Sequence, residues 1–455
     1  MIIRNHLRNL AIAAAALSLV SSPARPAAPR AAQQGQQPSY SLPEYNAEQA
    51  AAGEKDRQQK IKLLDAFVAQ FPNSTLLQYI YQFYYQAYYQ LKNYAKAVEY
   101  CDKLIELGDK AELTTRVPAI QARVQLFPLA YPKPDNDQLT KDRDVANLGI
   151  KLYPDLKKVP GSTVTDDQIK AGILYLQGAV GQISMQLKDY PTAIDSFKAV
   201  LAANNKDAVS SYRLGLAYLN SAPPQALDGF WSLARAISLN IPDGSKVKDY
   251  LRQRILAYEQ PGCDNQVDAQ LSEMLQLAAN SPDRPATYTI PSHDDLSKIS
   301  QASTIITVIN DLGAGGDKAK MTWLAICGAE FPQVVGKIVD LQKSDNYVDF
   351  MVFTSDNADQ MQNATTANMD VKVWMSAPAA GGGTAAAQIT PQPDVVRFQK
   401  DDPIGFAGTL VSYDPSPFLL HWDQVKVDPT TIPAPEKTGA PKRPAHRPAA
   451  KPSEN

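Results

Sequence analysis

The chain has 455 residues, with 45 Lys or Arg against 47 Asp or Glu and a formal net charge of −2. That length suits two or three domains with separate cores, and so even a balance excludes a global attraction to nucleic acid or anionic lipid. The 34 prolines crowd toward the two ends, which predicts unstructured flanks around folded material.

The N-terminus has the pattern of an export signal. Arg4, His6 and Arg8 form a basic start, Leu10–Val20 is an apolar run, and Ser22-Pro23-Ala24 offers a small-x-small cleavage site. Residues 1–24 are therefore expected to be removed, the mature chain to begin near Arg25, and its destination to be the periplasm or cell envelope. The run is shorter than the ~20 residues of a membrane span. No Cys follows it to take a lipid, and no other stretch is apolar enough, so no transmembrane segment is expected in the mature chain. Residues 25–46, rich in Pro, Ala and Gln, read as a flexible spacer. Cys101, Cys263 and Cys327 allow at most one intramolecular disulfide. Cys263 and Cys327 could pair in an oxidising compartment, and the spacings fit no zinc or redox motif.

From Ala47 to residue 280 apolar residues recur with helical period. Ile61, Leu64, Phe67, Val68 and Phe71 form one stripe, ended by Pro72-Asn73-Ser74. Thr75–Leu91 and Tyr94–Leu107 make a hairpin, and residues 112–157 make another, split by Tyr131–Asp137. Leu174–Asn205 and Ala208–Asn240 then look like one hairpin written twice. Each places a glycine in its first helix (Gly181, Gly215), an alanine in its second (Ala193, Ala226) and an aromatic one turn later (Phe197, Phe230). The glycine lets the helices approach, the alanine fills the crossing and the ring wedges against the neighbouring hairpin. Cys101 falls at the position of those rings, and Tyr85 stands where the glycines stand. Lys246–Tyr258 and Gln266–Ala279 would close the series.

A repeat of roughly 34 residues with this pattern resembles the tetratricopeptide repeat. The resemblance implies an α-solenoid over residues 47–280, whose hairpins bury their apolar faces by stacking and present a concave surface to a partner. By the same resemblance Tyr79, Gln82, Gln86, Tyr89 and Gln90, from the run YIYQFYYQAYYQ, line that groove, while Tyr81, Tyr84, Tyr85 and Tyr88 pack the hairpin. The later counterparts are Tyr175, Gln182, Met185 and Gln186, then Tyr212, Leu216 and Leu219. Rings and amides suit an extended peptide, burying its apolar side chains and bonding its backbone. Arg213 alone resembles the cations with which some repeat proteins clamp a C-terminal carboxylate, which argues against that mode. Packing of the same tyrosines against neighbouring helices is the competing expectation.

Residues 281–328 read as a helical connector. Ser292 caps a helix running to about Asp311, Gly313 and Gly315-Gly316 stop it, and Lys318–Ile326 is a shorter one. From Pro332 the period becomes two. Val334–Leu341, Tyr347–Thr354, Met369–Met375, Ile404–Tyr413 and Phe418–Val427 predict five strands, with Ala377–Ala387 as a loop. The expectation for residues 329–428 is a small all-β five-stranded barrel, making the whole chain α then β. An early glycine in the first strand and the segment F-x-G-T-L-V-S-Y in the fourth resemble OB-fold domains of bacterial envelope proteins, the tRNA-anti-like group. Residues 429–455, Pro-rich and mildly basic, read as an unstructured tail.

Little in the sequence points to catalysis. His6 and His446 lie in the flanks, His421 sits beside Trp422 on a strand, and His293 with Asp294 and Asp295 is explained by a helix start. There is no H-E-x-x-H, G-x-S-x-G or phosphate loop, and Gly313–Asp317 lacks the Walker spacing. Asp401-Asp402 is an ordinary loop pair. Hence no enzyme activity, cofactor or metal is expected. A barrel face for nucleic acid needs aromatics interleaved with cations. Tyr347, Phe350, Phe353, Trp374, Phe398 and Phe406 supply rings, but Asp340, Asp345, Asp349, Asp356, Asp359 and Asp370 offset Lys337, Lys343, Lys372, Arg397 and Lys426. The rings are expected in the core, and no nucleic-acid partner is expected. The sequence thus points to an exported, non-enzymatic scaffold or adaptor that holds a protein or peptide partner in the cell envelope. The alternative is a barrel that binds glycan or oligonucleotide and is presented by the solenoid.

Overall fold

The computed structural model describes residues 39–261, 263–376 and 390–435. The expected export signal, the Ala377–Ala387 loop and the end of the basic tail lie outside them. Among the described residues, fifteen helices in paired stacks occupy residues 42–326, and a closed five-stranded mixed barrel follows. The chain forms two compact units. The first comprises residues up to Ile255 together with Gln270–Thr289, the second Leu256–Ala269 together with everything from Ile290.

In the first unit the pairs are α1 (Leu42–Gly53) with α2 (Arg57–Gln70), α3 (Leu77–Gln90) with α4 (Tyr94–Glu106), and α5 (Leu113–Ala130) with α6 (Asn136–Leu152). They continue as α7 (Asp166–Leu187) with α8 (Tyr190–Ala203) and α9 (Ala208–Asn220) with α10 (Ala226–Ser238). Helix α1 starts ahead of the expected boundary at Ala47. Ser41 accepts from the Glu44 amide while the Glu44 carboxylate accepts from the Ser41 amide, a capping box that draws part of the predicted spacer into the fold. Two connections are near copies. Lys92 and Lys188 take left-handed backbone (φ 58° and 61°). Asn93 and Asp189 then cap α4 and α8 through the amides of Lys96 and Thr192. Turns this short fold each helix back along its predecessor.

The crossings within the pairs follow from side-chain size. A Cβ added at Gly181 would lie 2.8 Å from the Phe197 ring, so the ring occupies the space that the glycine leaves. Two pairs earlier, at the same sequence separation, Tyr85 and Cys101 are both buried in one cluster. The large and small partners have changed places, which keeps the packed volume similar. The α9–α10 pair departs from expectation. Its longer connection, Ser221–Gln225, shifts the register, so Ala226 only opens α10 and is half-buried. Gly229 takes the crossing instead. A Cβ at Gly215 would lie 2.8 Å from Leu233 Cγ and 2.9 Å from the Gly229 carbonyl oxygen. Ala193, Phe197 and Phe230 are buried as expected.

The second unit holds the end of α11 (Gly244–Glu259), the start of α12 (Gln266–Asn280), and α13 (His293–Ala302), α14 (Ile305–Ala314) and α15 (Gly316–Ile326). The helix expected to run to Asp311 is broken, because Thr304 caps a new start through the Thr307 amide. The strands are β1 (Glu330–Lys343), β2 (Tyr347–Phe353), β3 (Met369–Trp374), β4 (Pro403–Pro415) and β5 (Phe418–Val427), closed in the order β1-β2-β3-β5-β4. Every neighbouring pair is antiparallel except β3 with β5, which is parallel. Alternation sends Val348, Phe350 and Val352 of β2 and Met369, Val371 and Val373 of β3 inward. Val308, Leu312, Ala319, Trp323 and Ile326, from α14 and α15, join the same core. Cys263 and Cys327 form a disulfide within this unit, with Cα atoms 5.6 Å apart. Cys101 is free and buried. The first residues of the predicted tail also belong to the fold: Ile432 packs on the barrel core, and Arg397 donates to the Pro433 carbonyl.

Candidate binding groove

Within the first unit the two rows of helices differ in spacing. Consecutive first helices touch along the stack, α1 on α3, α3 on α5, α5 on α7 and α7 on α9, whereas the second helices have little contact with one another. The odd-numbered helices thus form the tighter row of the stack, called the inner row below. Their charge is distinctive. Helices α3, α5 and α9 contain no carboxylate, and in α7 the acids are confined to Asp166 and Asp167 in the first turn. Acids are more frequent on the outer row, among them Glu99 and Asp102 on α4 and Asp142 and Asp144 on α6, while on the inner row α1 holds Glu44 and the buried Glu48. The inner row carries Arg116, paired with Asp109, and Arg123, buried between Asp102 and Asp142, together with Lys170 and Arg213.

The expected groove residues divide into two sets. Tyr79, Gln82 and Tyr212 are buried, and for the two tyrosines this is the competing expectation of packing. The Tyr79 hydroxyl donates to Glu112 Oε1 at 2.9 Å, while Gln78 Oε1 accepts from the Glu112 amide and the Thr115 hydroxyl. This knot closes the start of α5 over that end of α3. The second set is open. Tyr89 exposes 40 % of its surface and Tyr175 36 %, while Gln86, Gln182 and Arg213 are partly accessible. For Tyr175 exposure and electrostatics disagree in an informative way. Burial, then the nearby Asp142 and Tyr153, push its hydroxyl well above the usual phenol range. Tyr175 is thus open to solvent in part while its hydroxyl lies near Asp142 and Tyr153.

Arg213 has the same character. Burial lowers its guanidinium pKa, opposed by Asp207. That carboxylate already accepts from the Val209 and Ser210 amides and the Ser210 hydroxyl at the start of α9. Among the described residues Arg213 therefore stands without an ion pair.

Sequence reasoning missed a cleft of about 290 Å³ where the α1–α2 turn meets α3. Lys55, Arg57 and Lys60 line it from the turn and α2, and Phe83, Gln86 and Gln90 from α3. Arg57 Nε donates to Gln90 Oε1 at 2.7 Å, and Lys60 Nζ donates to the Ala52 carbonyl at 3.1 Å. Lys60 Nζ also sits 5.5 Å from the Phe83 ring centre. Burial, then the Arg57 charge, lower the Lys60 pKa, opposed by Glu54. The segment Glu54–Lys60 carries no motif in sequence, and folding alone brings it against Gln86 and Gln90.

No family model matches the chain, and no curated protein matches it. The remaining candidates lie on the barrel. Phe350, Phe398 and Phe406 are core residues as expected, while Tyr347, Phe353 and Trp374 are half-buried. Lys372 Nζ lies 4.7 Å from the Tyr347 ring centre and 3.6 Å from Asp349. The ring nitrogens of His421 lie 3.2 Å from Asp370 and 3.0 Å from Asp414. Ser292 caps α13 as predicted. Among the described residues no group of three or more His, Cys, Asp or Glu side chains could hold a metal ion, and no helix is long and apolar enough to cross a membrane.

Proposed function

We propose that this chain is an exported, non-enzymatic scaffold or adaptor that holds a protein or peptide partner of the cell envelope along the inner row of its helical stack. The inner row carries the reading. It combines the open rings of Tyr89 and Tyr175, the amides of Gln86 and Gln182, and an unpaired Arg213, on helices nearly free of carboxylate. The repeated turn before α4 and α8, with matched crossings at Tyr85/Cys101 and Gly181/Phe197, supports kinship with tetratricopeptide hairpins. The disulfide is compatible with an oxidising, extracytoplasmic location.

A partner captured from an envelope fraction supplies the ligand for the test. Truncating a binding anchor costs ~2 kcal/mol or more, so Tyr89→Ala with Tyr175→Ala is expected to weaken capture at least a hundredfold, roughly, with the unfolding midpoint unchanged. Full capture by the folded double variant would sink the groove reading. Attention would then pass to the barrel, whose strand order and single parallel pair fit an OB-like fold. Tyr347 and Trp374, 5.3 Å apart beside Lys372, suit a ring-stacking glycan or oligonucleotide.

A further inference from the structure

The charges of the inner row bear on the kind of partner it takes. Of the residues lining the cleft at the α1–α2 turn, Lys55, Arg57 and Lys60 are cations, and Glu54 is the one acid. Glu54 accepts from the Asp56 amide at 2.8 Å and acts electrostatically on Lys60, which leaves three cations against one acid in the lining. None of the three cations has a carboxylate within ion-pair distance among the described residues. Arg57 and Lys60 instead spend donors on neutral acceptors, Gln90 and the Ala52 and Lys55 carbonyls, and retain N–H groups for an incoming anion. Phe83 supplies an apolar floor, and Gln86 and Gln90 connect the cleft to the inner face of α3. Farther along the row, α9 holds the unpaired Arg213 and no acid.

A basic partner would bring like charges against these cations. A neutral one would cover the desolvated guanidinium of Arg213 without compensating it. An acidic one relieves both. We propose that the inner row takes an acidic peptide segment of the partner, with a side-chain carboxylate anchored in the cleft by Lys55, Arg57 and Lys60. This rests on the reading of the inner row as the partner-binding face. A charge-assisted contact of this kind is shorter and stronger than a neutral one, and its exposure at the cleft mouth makes it sensitive to salt.

The test uses the full chain as bait for a library of random peptides of about twelve residues, each able to span ~40 Å when extended. Bound peptides are expected to be enriched in Asp and Glu by roughly threefold or more over the input. Raising salt from about 0.05 M to about 0.5 M should abolish that enrichment. The double variant Arg57→Gln with Lys60→Gln should lose the preference for acids yet still select aromatic peptides, and Arg57→Lys with Lys60→Arg should keep it. An unchanged unfolding midpoint in both variants excludes misfolding as the cause. Bound peptides of neutral or basic composition, or acid enrichment that survives in the double glutamine variant, would overturn the proposal while leaving the groove standing. Selection of no peptide at all would strike the groove reading itself, and this inference with it.

Discussion

Arg123 is buried between two carboxylates, donating to Asp102 at 2.9 Å and closely to Asp142, while Lys141 reaches Asp102 from the surface at 2.8 Å. Burial pushes the Asp142 carboxyl up to about 7, against the opposing pull of Arg123. In the unfolded chain an aspartate titrates near ~3.9. Between those values the folded state holds the proton more tightly than the unfolded one. The contribution of Asp142 to stability is therefore fully present below about pH 4 and is lost as pH rises to about 7. Replacing Asp142 with Asn should remove this component and flatten the profile over that window, as read from unfolding midpoints at several pH values. A slope identical to that of the native chain would exclude Asp142 as its source. None of this was legible beforehand, because Asp102, Arg123 and Asp142 meet only when three helices pack.

At the scale of elements the crossings make a sharper distinction. At Gly181 an added methyl meets the Phe197 ring, which can tilt, whereas at Gly215 it also meets the backbone carbonyl of Gly229, which cannot. Gly215→Ala should therefore destabilise by roughly 1–3 kcal/mol, and by more than Gly181→Ala. Urea midpoints in the reverse order would refute this account of the α9–α10 crossing. The helices and strands themselves were readable, since period 3.6 and period 2 report which side each residue buries. The boundaries lost in reading had local causes. Ser41 and Thr304 each cap a helix that periodicity alone does not place, and the five-residue connection Ser221–Gln225 moved the crossing from Ala226 to Gly229. Of the residues expected to line a groove on α3, Gln86, Tyr89 and Gln90 are accessible and Tyr79 and Gln82 are buried, a division that Glu112, 33 residues beyond Tyr79, sets by closing one end. The basic cleft requires Lys60 to meet Phe83 across a turn and a helix, a juxtaposition without a local sequence signal.

At the scale of the whole molecule the chain passes between its two units more than once. Residues 270–289 return to the first unit, held by Arg235 donating to the Ala278 and Ala279 carbonyls at 2.9 and 2.7 Å and by Arg284 paired with Asp228 at 2.8 Å. The Cys263–Cys327 bridge spans this excursion, with a sequence separation of 64. Closing a loop of that length contributes roughly 4 kcal/mol in the chain-entropy account. Cys263→Ser with Cys327→Ser should accordingly lower the melting temperature of the second unit, while the transition of the first unit changes little. Calorimetry in which neither transition moves would show that the bridge carries no stability.

That same excursion sets an order of events as the chain emerges from its N-terminus. Domains tend to fold as units, earliest first. The first unit has all its parts once residue 289 is out, and by then Cys101 is sealed inside its core. Residues 256–269 must wait for the second unit, with Cys263 as a free thiol, until Cys327 follows. With the first unit closed, burial of Cys101 leaves Cys263 and Cys327 as the accessible thiols, the two that form the bridge.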